Sequence, residues 1–162
     1  MFLGDDILKC VAINFCLMVL CQLIILVFCQ RLNEKFFDYR RNFYKARKFE
    51  NNGKFYVKYL KIKKWKDKLP QYVAKNGFSK RNINLSQVYN KEYFERFLLE
   101  TCRAEWNHSM CCMYFVISFL INKFPFSIIF SIIPLVANLP FLIIQRYNRI
   151  RFLNFNLKKS VL

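Results

Sequence analysis

Only three glycines and four prolines punctuate these 162 residues, and His108 is the sole histidine. So few glycines exclude a glycine-rich loop that cradles phosphate, and no G-x-S-x-G nucleophile turn occurs. One histidine and seven cysteines without C-x-x-C spacing give no zinc pattern. Cys10, Cys16, Cys21, Cys29, Cys102, Cys111 and Cys112 fall mostly in apolar runs and read as small buried hydrophobes. Acidic residues are scarce as well, with 10 against 27 lysines and arginines for a formal charge of +17. Internal repeats and low-complexity linkers are missing, which excludes repeat arrays and points to one helical unit over 1–162.

What remains is apolar and basic at once. Hydrophobic residues make up 55% of the chain and aromatics 19%, in long runs that soluble domains rarely combine with such a charge. The run Ile7 to Cys29 is interrupted only by Lys9, Asn14 and Gln22 and is long enough to cross a hydrocarbon core of roughly 30 Å. A cleaved signal peptide is the competing reading, but Asp5 and Asp6 precede the run and no small-residue cleavage site follows it. Residues 7–29 are therefore expected to stay as a transmembrane helix.

Pro125 to Ile144 is a second full crossing, whereas Met110 to Ile121 would cover only about 18 Å at ~1.5 Å per residue. To match its neighbour, the helix between them must start near Arg103, giving spans over 103–122 and 125–145 followed by a basic tail over 146–162. That places His108 and Asn138 at similar depth to Gln22, and polar groups at membrane depth are functional candidates. A re-entrant or short helix with local thinning of the bilayer is the alternative for 103–122. Of the 27 basic residues, 20 lie between Arg31 and Arg103, and Lys123 alone stands between the later runs. By the positive-inside rule the N-terminus is outside and the C-terminus cytoplasmic, in a multi-pass protein of the cell membrane. The expected class is an all-α integral membrane protein with about three transmembrane helices plus basic amphipathic interfacial helices.

Those interfacial helices are expected within 30–102. Glu34 to Glu50 spaces Phe36, Phe37, Phe43 and Tyr44 helically among arginines and lysines, and Phe55, Tyr59, Ile62 and Leu69 form a second stripe that Pro70 ends. Gln71 to Asn84 reads as a loop, after which Ser86 is a candidate N-cap for a helix carrying Lys91/Glu95 and Glu92/Arg96 pairs. Basic residues among aromatics also suit nucleic acid, but beside membrane spans anionic lipid accounts for them, so no nucleic-acid partner is expected.

Three blocks stand out together. They are Lys64-Trp65-Lys66-Asp67-Lys68-Leu69-Pro70, Glu100-Thr101-Cys102-Arg103-Ala104-Glu105 with His108, and Ala137-Asn138-Leu139-Pro140 leading to Gln145-Arg146-Tyr147-Asn148-Arg149. In order and spacing, over roughly Asn33 to Arg151, they resemble the glycosyl-diaponeurosporenoate acyltransferase family. The resemblance implies an enzyme that esterifies the sugar of a glycosylated carotenoid acid, or a similar membrane glycolipid, with a fatty acyl group. The familiar H-x-x-x-x-D acyltransferase motif is absent from the chain.

Acyl transfer from a thioester such as acyl-CoA to a hydroxyl needs a base, and His108 is the one side chain that ordinarily titrates near neutrality. Glu105, three residues earlier on the same helical face, could orient or charge-stabilise the imidazole, and Glu100 is the other candidate proton acceptor. A plain salt bridge anchoring the helix end is the competing reading of the Glu105 and His108 pair. Arg103, Arg146 and Arg149 are candidates for donor phosphates or the developing oxyanion, or else topological anchors. Asn138, by its depth, and Trp65, Lys66, Tyr147 and Asn148, by membership of the three blocks, complete the candidate substrate contacts. No cofactor is expected beyond the acyl donor. The rival class is a non-catalytic membrane subunit or lipid-binding scaffold, in which Glu105, His108 and Asn138 would be free to become apolar.

Overall fold

A computed structural model describes residues 7–70 and 90–159, and they divide into two compact units. Regular structure among the described residues is helical: α1 (Ile7–Arg31), α2 (Lys54–Lys58), α3 (Lys91–Cys112), α4 (Tyr114–Ile121) and α5 (Phe126–Lys159), with short 3₁₀ turns between α1 and α3. The expected loop over Gln71 to Asn84 and the N-cap at Ser86 lie outside the described residues.

The first unit comprises residues up to Asn33 together with Ala104–Leu142. Among the described residues, α1 and α5 over Phe126–Phe155 are long and apolar enough to cross a membrane. α1 turns Leu8, Phe15, Leu23, Ile24 and Phe28 outward, which suits lipid and would be costly in water. The stretch over 103–122 is not one uninterrupted apolar helix. Glu105 lies on α3, a turn at Met113 follows, and α4 is only 8 residues long.

Contacts at both ends nevertheless fix how these helices run. Near the start of α1, Asn14 and Asn122 exchange amide hydrogen bonds of 2.8 and 2.9 Å, and near its end the ring of Phe28 lies 6.0 Å from that of Trp106. The segment 106–122 is thus antiparallel to α1 over about 21 Å of the latter's length at ~1.5 Å per residue. Ser131 Oγ donates to the Phe115 carbonyl at 3.1 Å, and His108 pairs with Asn138, so α5 is antiparallel to the same segment. Asn14, Ser118 and Asn122 are all buried and satisfy one another: Asn14 Nδ2 also donates to the Cys10 carbonyl, Asn122 Nδ2 to the Ser118 carbonyl, and Tyr114 OH to the Asn14 carbonyl. Amides with complete partners can sit between apolar helices at little cost.

The second unit comprises Glu34–Arg103 and the residues from Ile143 onward. Long amphipathic helices through Glu34–Glu50 and Phe55–Leu69 are not formed; the chain instead makes 3₁₀ turns at Glu34–Phe37, Lys48–Gly53, Ile62–Lys64 and Lys66–Lys68 around the five-residue α2. Backbone geometry is the reason. Asn51, Asn52 and Gly53 take left-handed conformations in succession, and Lys61 does so again, which ends helix growth on either side. Gly53, at φ 86°, packs its bare α-carbon toward Tyr147 and Ile150 of α5.

The aromatics gain more by packing than by lining a helix face. Tyr56, Ile62, Ile144, Tyr147 and Ile150 form one core, with Trp65 and Leu69 against it. Phe97, Leu98 and Phe152 form another, the Phe97 and Phe152 rings 4.1 Å apart. α5 continues to Lys159 without a break, so the basic stretch after Ile144 is helical.

Candidate active site

In the first unit α3 and α5 present His108 and Asn138 to each other. His108 Nδ1 and Asn138 Oδ1 are 3.0 Å apart, and the imidazole stacks on Phe141 with centroids 5.1 Å apart and planes 13° from parallel. Asn138 is buried, and its amide nitrogen donates at 3.0 Å to the carbonyl of Pro134, one turn earlier on α5.

That second bond decides the first. A carbonyl can only accept, so the nitrogen of Asn138 must face Pro134 and its oxygen must face His108. His108 therefore carries a proton on Nδ1 and donates it to Asn138. Ring orientation is held by the same bond and by the Phe141 face. Glu105 is almost wholly buried one turn before His108, and Ser109 Oγ donates to its carbonyl at 2.8 Å. Gln22, placed at the same depth by counting along the sequence, is half-buried on α1.

The remaining candidates fall in the second unit. Arg103 bonds Glu100 at 2.8 Å, approaches Glu34 at 3.8 Å, and lies over the Phe37 ring at 5.3 Å. Glu100 is thus half-buried in an ion pair. Arg146 closes its planar fork on Glu50, with Nε to Oε1 and Nη2 to Oε2 both at 2.9 Å, and reaches the carbonyls of Phe43 at 3.3 Å and Lys45 at 3.1 Å. Arg149, buried, donates to the Tyr44 carbonyl at 2.9 Å and lies over the Tyr44 ring. Tyr147 belongs to the core, Asn148 is half-buried, Trp65 Nε1 donates to the Leu60 carbonyl at 2.8 Å, and Lys66 pairs with Asp67 at 2.8 Å.

Glu50 is the residue that inspection of the sequence passes over. It is fully buried, accepts hydrogen bonds from Arg146, from the Arg47 amide and from the Tyr56 hydroxyl, and organises the loop from Phe43 to Tyr56. Burial pushes its carboxyl up, but those hydrogen bonds and the Arg146 charge outweigh burial and hold it below its ordinary value of 4.5. Tyr56 is raised, first by burial and then by its carboxylate neighbour. A signal for Glu50 does exist: it is the one acid between Asp38 and Asp67, in a stretch full of lysine and arginine.

The sequence profile of the glycosyl-4,4'-diaponeurosporenoate acyltransferase family matches residues 40–157, which takes in Glu50, Arg103, His108, Asn138, Arg146 and Arg149. Relatives named glycosyl-4,4'-diaponeurosporenoate acyltransferase in Staphylococcus aureus, from strains bovine RF122 / ET3-1 and USA300, are each 32% identical over 125 residues, covering 75% of this chain and 72% of theirs. No solved structure matches the chain. Matched over most of its length, the chain belongs to the glycosyl-4,4'-diaponeurosporenoate acyltransferase family and is an acyltransferase.

Proposed function

We propose that this acyltransferase esterifies a sugar hydroxyl of a glycosylated carotenoid acid, or a closely similar membrane glycolipid, with a fatty acyl group from a cytoplasmic thioester such as acyl-CoA. The observation that carries the reading is the His108 and Asn138 pair, which holds an oriented imidazole between α3 and α5. It supplies an oriented base where a lipid-borne hydroxyl can arrive. Nε2 takes the hydroxyl proton as the oxygen attacks the thioester carbonyl, forming the new C–O bond and a tetrahedral oxyanion. Collapse breaks the C–S bond, and the departing thiolate takes the proton back from Nε2. The buried carboxyl of Glu105 is suited to steady the transient imidazolium, with Glu100 the alternative acceptor.

Arg103, half-buried and already bonded to carboxylates, is the arginine we assign to the donor's phosphates, with Lys66 and Asn148 as further polar contacts. Arg146 and Arg149 are read as holding the loop over 43–50, and Trp65 and Tyr147 as its packing. Antiparallel contact of 106–122 with two apolar crossing helices supports a third crossing over 103–122, with the N-terminus outside and the C-terminus cytoplasmic at the cell membrane.

Lipid extracts of cells with and without the protein, compared by mass spectrometry, should differ by a glycosylated acceptor heavier by one fatty acyl group. Accumulation of an acylated product without a sugar, or an unchanged lipid profile in cells that supply the acceptor, would refute this substrate assignment.

A further inference from the structure

Lys48-Phe49, Lys54-Phe55 and Lys58-Tyr59 repeat one pattern, a lysine followed at once by an aromatic. Within the second unit the fold gathers the three rings into one ladder. Phe49 meets Phe55 edge-on with centroids 5.4 Å apart, and Phe55 meets Tyr59 at 5.5 Å. Phe55, in the middle, is half-buried against the Tyr56 and Ile62 core, but the two ends of the ladder stand open: Phe49 is 62% and Tyr59 65% exposed, and Val57 beside them is exposed too. All three lysines are exposed, and Lys58 Nζ stands 5.2 Å from the Tyr59 ring centre.

No exposed acid dilutes this charge in the neighbouring chain, since the one acid between Asp38 and Asp67 is Glu50, which is buried against Arg146. The lysines farther along are a poorer surface. Lys66 pairs with Asp67, and Trp65 is turned to the Leu60 carbonyl and the core. Large rings exposed side by side with Val57 are unfavourable in water, while aromatics flanked by lysines are at home at the boundary of headgroups and acyl chains.

We infer that the Lys48–Tyr59 surface docks on anionic lipid, with Phe49 and Tyr59 entering the headgroup boundary on either side of the half-buried Phe55 and Lys48, Lys54 and Lys58 at the level of the phosphates. Charge complementarity selects anionic over zwitterionic lipid. The exposed phenyl ring of Phe49, which offers no hydrogen bond, favours a membrane over an acidic soluble protein.

The full chain, carrying trifluoromethylphenylalanine at position 49 through amber suppression, would be reconstituted in nanodiscs of phosphatidylglycerol with phosphatidylcholine or of phosphatidylcholine alone. In the anionic discs a lipid spin-labelled near the headgroup should broaden the fluorine resonance, and a water-soluble gadolinium chelate should not. Changing Lys48, Lys54 and Lys58 together to Gln should lower the ratio of docked to undocked surface by up to about a hundredfold, taking each lysine as about fivefold. These exposed changes leave the core intact, so a folded variant is expected. Broadening by the aqueous chelate in both lipid compositions would overturn the inference. So would protection that is equal in the two compositions, or that arises only on adding an acidic acyl carrier protein.

Discussion

His108 and Asn138 show how much one backbone carbonyl can decide. Asn138 has its nitrogen fixed by Pro134, so its oxygen is fixed on His108 and the imidazole is held in the Nδ1-protonated form. As His108 is the single histidine, uniform labelling with ¹⁵N-histidine yields one imidazole to observe. The spectrum should show a protonated Nδ1 and a bare Nε2, and Asn138→Leu should release that preference; an Nε2-protonated ring in the wild type would sink the assignment. Activity should follow, with His108→Ala lowering acyl transfer by at least about a hundredfold in protein that still inserts into membranes. Near-normal transfer by well-expressed His108→Ala would move the base to Glu100 or Glu105. That His108 and Asn138 lie at one depth could be read from the sequence by counting along helices. Which way the amide faces could not, because that depends on a carbonyl four residues before it on a folded helix.

At the scale of elements, the Glu50 and Arg146 pair secures the loop from Phe43 to Tyr56 to α5, and its loss should be felt as stability. Glu50→Gln leaves a half-buried guanidinium facing a neutral amide and should cost about 2 kcal/mol, seen as a lower thermal midpoint in detergent. Arg146→Lys keeps the charge, loses the planar fork and the reach to the Phe43 and Lys45 carbonyls, and should also destabilise. Should the same change leave stability untouched and only raise the acyl donor needed, Arg146 would be a phosphate ligand after all. The carboxyl of Glu50 is held below its ordinary 4.5, so its contribution is complete above that pH and is lost as pH falls through the folded value. Wild-type stability should therefore decline on acidification below about 4.5, and Glu50→Gln should show a shallower decline over that window. Helical spacing of the aromatics suggested long interfacial helices here. The left-handed run Asn51-Asn52-Gly53 prevented them, and its meaning becomes plain only once Tyr147 and Ile150 are seen beside Gly53.

For the molecule as a whole, the number of crossings decides on which side each end lies. Three crossings put the N-terminus and C-terminus on opposite faces, whereas α1 and α5 alone would put them on the same face. Reporter fusions at Asn52, at Lys123 and after the C-terminus should read inside, outside and inside, following the 20 basic residues between Arg31 and Arg103. An inside reading at Lys123 would make 103–122 re-entrant. Asn122→Leu tests the same packing from within: it removes both amide bonds between Asn14 and Asn122 and should weaken association of α1 with α4 by about 1 kcal/mol, measurable as earlier loss of helicity in a denaturing detergent.

Composition and run length by themselves determined that the protein is helical, apolar and basic, because a stretch such as Ile7 to Cys29 has one good place to put its side chains. The three blocks around Trp65, His108 and Arg146 were enough to point to the acyltransferase family, since side-chain chemistry in a fixed order survives changes in the residues between. Tertiary structure alone decided which polar groups share a bond. Asn14 is a mere interruption in an apolar run until Asn122 arrives from 108 positions away, and Glu50 is one acid among many bases until Arg146 closes on it from a distance of 96. Hydrogen bonds and ion pairs act over about 3 Å in space. A linear sequence holds no record of that distance until the chain has folded.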